Sequence, residues 1–288
     1  MDGPVVAGID GTPGSRRAVL WAADEAARRH APLEIVHAYG IPDAFYGEAM
    51  PPRDWLDARR AESQDLLLES AAAATTRNPG LRVHPESVLD APIPLLVRRS
   101  GEAGMLVLGS AGRGALGELL SGSVAGALAA HARCPFAVVR GADRGGEAPV
   151  VVGVDGSPAG RPALALAFEE AALRGAPLVA LHAWSDSDKA QLFSAARAEF
   201  DFEPLREAET RVLAESLAGW REAYPDVTVQ RVAERDRPRH QLLDWSKRAQ
   251  LVVVGSRGRG GFRGLLVGST TYALLHHASC PVLIARSQ

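Results

Sequence analysis

The sequence predicts two tandem α/β domains, each an open, doubly wound sheet of five parallel strands. Three observations predict it. Short apolar runs alternate with long amphipathic segments, the runs read as strands apolar on both faces, and the whole pattern occurs twice. Strands apolar on both faces are those covered by helices on each side. Repeated β-α units with right-handed crossovers then give an open sheet. The 288 residues suit two domains of roughly 100–200 residues each.

The first half sets out the elements in order. An apolar run at Val5–Ile9 is followed by a helical stretch, Ser15–Arg29, with Val19, Leu20, Ala23 and Ala26–Ala27 at helical spacing. A second strand is expected at Leu33–Ala38. A long helix at roughly Trp55–Thr76 is stopped by Asn78-Pro79-Gly80. Strands at Leu81–Val88, Met105–Leu108 and Phe136–Val139 complete the half.

The second half repeats these words. PVVAGIDG at 4–11 answers PVVVGVDG at 149–156, and APLEIVHAY from Ala31 answers APLVALHAW from Ala176. Asp10 and Asp155, like His37 and His182, are therefore 145 positions apart. The offset lengthens by one further on, where MLVLGSAGRG answers LVVVGSRGRG and HARCPFAVVR answers HASCPVLIAR. A nearly constant offset marks a duplication. Gly141 to Glu147 is a short glycine-rich linker, so the domains are expected at 1–141 and 147–288.

Composition narrows the function classes. Hydrophobic residues make up 47%, and a net charge of −2 offers no electrostatic surface for nucleic acid or a membrane. No apolar run approaches the roughly 18 residues that span a bilayer, and no targeting segment is evident, so a cytoplasmic protein is expected. Cys134 and Cys280 each precede a proline in matched contexts and read as small buried residues in a reducing compartment.

The chemistry lies after the fourth strand of each half. Gly109-Ser110-Ala111-Gly112 is followed nine residues later by Gly122-Ser123, and Gly255-Ser256-Arg257-Gly258 by Gly268-Ser269. Gly109 and Gly255 end strands, where a missing side chain admits close backbone approach to a ligand. Gly122-Ser123 and Gly268-Ser269 are expected to open the last helices, whose amide N–H groups and dipole suit a phosphate. A Walker loop is excluded, because neither lysine, Lys189 or Lys247, follows a glycine. Gly112, Gly114 and Gly117 match a Gly-x-Gly-x-x-Gly pattern, but after the wrong strand, and Arg263 breaks it in the second half.

The opening V-x-G-x-D-G-[ST]-P, the Gly-x2-Gly-x9-Gly-[ST] loop and the closing His-Ala-x-Cys-Pro strand each occur twice. Together they resemble the universal stress proteins, of the tandem ATP-binding kind common in actinobacteria. The resemblance covers nearly the whole chain. It implies a Rossmann-like sheet of the adenine nucleotide alpha hydrolase type, with ATP in each half and Mg2+ as its counter-ion. Members that lack the glycine loop do not bind ATP. Ile9 with Asp10 and Val154 with Asp155 would line the adenosine end, after strand glycines Gly8 and Gly153. Ala38 and Ala183 would pack near the base, with Leu108 and Val254 flanking it. Gly109, Gly112, Gly122, Ser123 and Val124 would hold ribose and phosphates, as would Gly255, Gly258, Gly268, Ser269 and Thr270. The resemblance also implies that the closing strands, at the sheet edges, join the halves as an internal pseudo-dimer. A homodimer and an unidentified protein partner are further expectations.

Some residues carry two readings. Asp10 and Asp155 either cap the turns that follow them or bond to the nucleotide or a metal-bound water. Arg113 in the first loop and Arg257, Arg259 and Arg263 in the second either neutralise phosphate or sit on a solvated loop. No Ser-His-Asp set repeats between the halves, and no histidine spacing suits a metal site. A nucleotide-dependent stress-signalling protein is therefore the first reading. A slow ATPase or a phosphoryl- or adenylyl-transfer enzyme is the alternative.

Overall fold

The computed structural model describes residues 3–40, 51–110, 117–141, 144–184, 202–256, 258 and 267–286. The chain forms two compact units, the first ending at Arg140 and the second starting at Gly141. In the first unit the elements are β1 (Val5–Ile9), α1 (Pro13–Arg28), β2 (Leu33–Ala38), α2 (Arg53–Arg77), β3 (Val83–Val88), α3 (Pro92–Arg99), β4 (Met105–Gly109), α4 (Gly117–His131) and β5 (Phe136–Val139). The strand order is β3-β2-β1-β4-β5, with every one of these neighbours parallel. Val5 stands between Leu33 and Met105, both buried, so β1 is central.

The second unit repeats the plan. It comprises β6 (Val150–Gly153), a 3-10 turn at Pro158–Gly160, α5 (Arg161–Arg174), β7 (Leu178–Trp184), α6 (Glu203–Ser216), α7 (Trp220–Ala223), β8 (Val229–Arg235), α8 (Pro238–Trp245), β9 (Leu251–Gly255), α9 (Ser269–His277) and β10 (Val282–Ala285). Its order is β10-β9-β6-β7-β8, again parallel throughout. In each unit the chain leaves the first strand in one direction and returns on its other side. This creates a switch point between β1 and β4 and between β6 and β9, where open sheets place ligands.

The expectation of strands apolar on both faces fails for β3 and β8. His84, Pro85 and Glu86 are exposed in β3, as are Gln230, Arg231, Glu234 and Arg235 in β8. Both strands end their unit's order opposite the closing strand. Charges, and a proline that cannot donate to a ladder, suit an edge strand.

Both α1 and α5 bury a carboxylate that hydropathy alone does not anticipate. Glu25 is fully buried and meets Arg29 at 3.0 Å, and the matching Glu170 is fully buried against Arg174. A buried charge survives only when paired, so each pair sits one turn apart on its helix. Cys134 and Cys280 are both buried. Among the described residues, no helix is long and apolar enough to cross a membrane.

Candidate functional site

The geometry is most complete in the second unit. β6 ends at Gly153 and delivers Val154, buried, and then Asp155. Asp155 Oδ1 accepts from the Ser157 amide at 2.9 Å and from the Ser157 hydroxyl at 2.8 Å, which locks the turn into the following helix. Asp10 does the same in the first unit, accepting from Thr12 N at 3.0 Å and Thr12 Oγ1 at 2.6 Å. The turn-capping reading is thus realised in both units. Thr12 in turn caps α1 by accepting from Ser15 N at 3.2 Å, which starts the helix at Pro13, two residues earlier than expected.

At the neighbouring strand end, Gly255 closes β9 and α9 begins at Ser269, with Gly268 as its N-cap. Two bonds pin the helix over the strand end. Gly268 N donates to Ser256 O at 3.1 Å, and Thr271 Oγ1 donates to Gly255 O at 2.9 Å. Among the described residues no side chain caps this helix. The first amides of α9 are therefore orphan donors of the kind that receive an anion. Between the two strand ends stands Gly258, where an added Cβ would lie 3.0 Å from Asp155 Oδ2. The strand-end aspartate and the glycine loop are in contact.

The first unit differs at the same place. The sequence places the opening of the last helix at Gly122-Ser123, but α4 already starts at Gly117, so both residues lie inside it. Interior amides of an α-helix are spent on the carbonyls four residues back. Val124 follows within α4, half-buried. Gly109 also has a different neighbour from the one expected. Its missing side chain makes room for the first turn of α1, since a Cβ there would lie 2.3 Å from Gly14 C and 2.4 Å from Ser15 N. Gly14 itself abuts Ser110 O, where a Cβ would be 2.1 Å away. The close approach is between two backbones of the same unit, and its signal was the Gly14-Ser15 pair after the proline.

Of the remaining expected residues, Ile9, Leu108 and Val254 are buried at strand ends, while Ala38, Ala183 and Thr270 are partly exposed. The room over Gly8 is taken by Leu96 and Leu108, and that over Gly153 by Leu242 and Val254. Gly112, Arg113, Arg257, Arg259 and Arg263 lie outside the described residues, as does the side chain of Ser123.

The matched histidines join strand to helix through unlike partners. His182 Nδ1 is 2.7 Å from Val154 O, and its Nε2 is 2.8 Å from Glu209 Oε2 in α6. A carbonyl cannot donate, so Nδ1 carries a hydrogen and a single proton lies between Nε2 and the carboxylate. His37 Nδ1 instead meets Ser63 Oγ at 2.8 Å, which meets Ser87 Oγ at 2.6 Å. Burial holds the His37 pKa below the ordinary 6.5, with repulsion from Arg59 adding to it and Asp10 pulling the other way.

Each unit is thus a doubly wound α/β domain with a topological switch point between its first and fourth strands, and in the second unit Asp155, Gly258 and the start of α9 lie at those strand ends. The comparisons name the class more closely. A model described as the universal stress protein family matches residues 1–140 and again residues 148–286. The chain therefore belongs to the universal stress protein family. It is 43% identical to universal stress protein Rv2005c of Mycobacterium tuberculosis, over 98% of this chain and 96% of that protein. Universal stress protein Rv2623 of the same organism is 41% identical over the same shares. The crystal structure of a universal stress protein from Archaeoglobus fulgidus shares the fold at a TM-score of 0.70 and 16% identity, covering 98% of this chain and 96% of that one.

Proposed function

We propose that the protein binds ATP at the carboxyl ends of its central strands and works as a nucleotide-dependent stress-signalling protein. The observation that carries this reading is the N-terminus of α9, which no described side chain caps and which is pinned to the end of β9 by the Gly268–Ser256 and Thr271–Gly255 bonds. Its orphan amides fit a phosphate group, and Gly258 carries no side chain where a Cβ would come within 3.0 Å of Asp155 Oδ2. Ser269 and Thr270 would add hydroxyl donors. Val154, Ala183 and Val254 would flank the adenosine.

The two units differ in readiness. In the first, α4 has to give up its opening residues before Gly122, Ser123 and Val124 can offer amides to phosphate. Gly122 lowers that cost, because an interior glycine destabilises a helix by about 1 kcal/mol relative to alanine. ATP therefore binds the second unit more tightly. Mg2+ would ride on the phosphate oxygens, as is usual for that ion. Among the described residues no three carboxylate, histidine or cysteine side chains cluster to hold a metal.

Calorimetric titration of nucleotide-free protein with Mg-ATP tests the reading. It predicts two classes of site, and phosphate release far slower than the roughly 1 per second of a dedicated enzyme. An absence of heat and of any thermal shift would sink it.

A further inference from the structure

β7 ends in Trp184, which is 8% exposed, and its indole Nε1 has no hydrogen-bond partner among the described residues. A buried N–H without a partner carries a desolvation cost that native structures seldom leave standing. The first unit resolves the matching position differently. There Tyr39, 3% exposed, accepts from Arg60 Nε at 3.1 Å through its hydroxyl. The orphan donor is therefore peculiar to the second unit. It also lies at the carboxyl end of β7, the strand beside β6. Trp184 is two residues beyond His182 on the same face of β7, and His182 is bonded to Val154 O. In the order β10-β9-β6-β7-β8, β7 lies across β6 from the β9–α9 phosphate loop.

We propose that the Trp184 indole N–H is a ligand donor of the second site, directed at an acceptor on the adenosine half of the nucleotide, a ring nitrogen or a ribose oxygen. This rests on the nucleotide-binding reading above and adds the residue that sets the two sites apart. The phosphates are held on the far side of β6, so the donor discriminates among nucleosides and leaves the polyphosphate end unaffected. Its reward on binding is large for one bond, because the N–H is already desolvated before the ligand arrives.

The test is titration of the full chain with ATP, AMP and inorganic triphosphate, comparing wild type with Trp184→Phe. Phenylalanine keeps an aromatic ring and removes the indole N–H together with the pyrrole carbons. The expected result is an affinity for ATP and AMP about three- to tenfold weaker at one site of two. Triphosphate binding should not fall, whatever the lost packing does to the melting point. In 15N-labelled protein, the indole resonance that Trp184→Phe abolishes should also move downfield on adding AMP. Unchanged ATP and AMP affinities in Trp184→Phe, or an indole resonance that stays put as AMP saturates, would overturn the assignment while leaving nucleotide binding intact. Wild-type protein that binds no nucleotide would overturn both.

Discussion

The Asp155 carboxylate is held between two glycines, with Oδ1 2.9 Å from where a Cβ on Gly160 would sit and Oδ2 3.0 Å from one on Gly258. Because Ser157 already fixes Oδ1 with two bonds, the carboxylate cannot swing aside freely. Gly258→Ala should therefore distort this strand end and weaken ATP at the second site by about tenfold, or 1.4 kcal/mol. Gly258 is exposed and outside the core, so the melting point without ligand should hardly change. Calorimetry with thermal melts of the same variant checks both halves.

Gly109 and Gly126 make a contrasting pair. A Cβ at Gly109 meets α1 backbone at 2.3–2.5 Å, whereas one at Gly126 meets nothing within 4 Å. Gly109→Ala must push α1 off the sheet and should cost about 3 kcal/mol. Gly126→Ala, in the interior of α4, should stabilise by about 0.5–1 kcal/mol. Denaturant midpoints decide it, and equal effects would contradict the packing described.

His30 occupies the left-handed position after α1 with φ 52°, where the second unit has Gly175 at φ 59°. Only glycine adopts this conformation without strain. His30→Gly should stabilise the first unit by about 0.5–1 kcal/mol, and Gly175→His should do the reverse in the second. The same denaturant series reads both.

Glu209 is the buried partner of His182, which holds Val154. Glu209→Ala leaves Nε2 unpaired and should cost about 1–3 kcal/mol. Glu209→Gln keeps a partner in place and should recover most of that. If the two variants melt alike, the bond does not organise this end of β6.

His37 sets a pH dependence. Its folded pKa lies below the ordinary 6.5, chiefly through burial. Between those two values the unfolded chain binds a proton that the native state does not, so stability rises with pH. The contribution is fully present above 6.5 and is lost as pH falls towards the depressed value. Histidine NMR titration should place the ring below 6.5, and a higher value would contradict its burial beside Ser63.

Much of the fold was legible because parallel strands and duplicated words leave strong marks. Val5–Ile9 and Leu33–Ala38 were readable to the residue, since short, largely apolar runs that recur at the same spacing in both halves have few alternatives. β3 and β8 were less so, because an edge strand does not need an apolar pattern. The glycines were visible as a set, but their tasks were not. Gly109 clears α1 and Gly258 clears Asp155, two distances that only folding creates. Nor could spacing reveal that α4 begins at Gly117 while α9 waits for Ser269, since helix starts depend on local competition among caps. The buried Glu25 and Glu170 were hidden by their charge.

The most direct test of the central claim is to purify the protein without added nucleotide, denature it, and identify what is released by chromatography and mass spectrometry. The account predicts ATP, retained first by the second unit and reaching two per chain when ATP is supplied. A ligand at a hundred times its dissociation constant adds about 2.7 kcal/mol, so the same sample should melt higher with ATP than without. Release of no nucleotide, together with a melting point that ATP does not move, would contradict it.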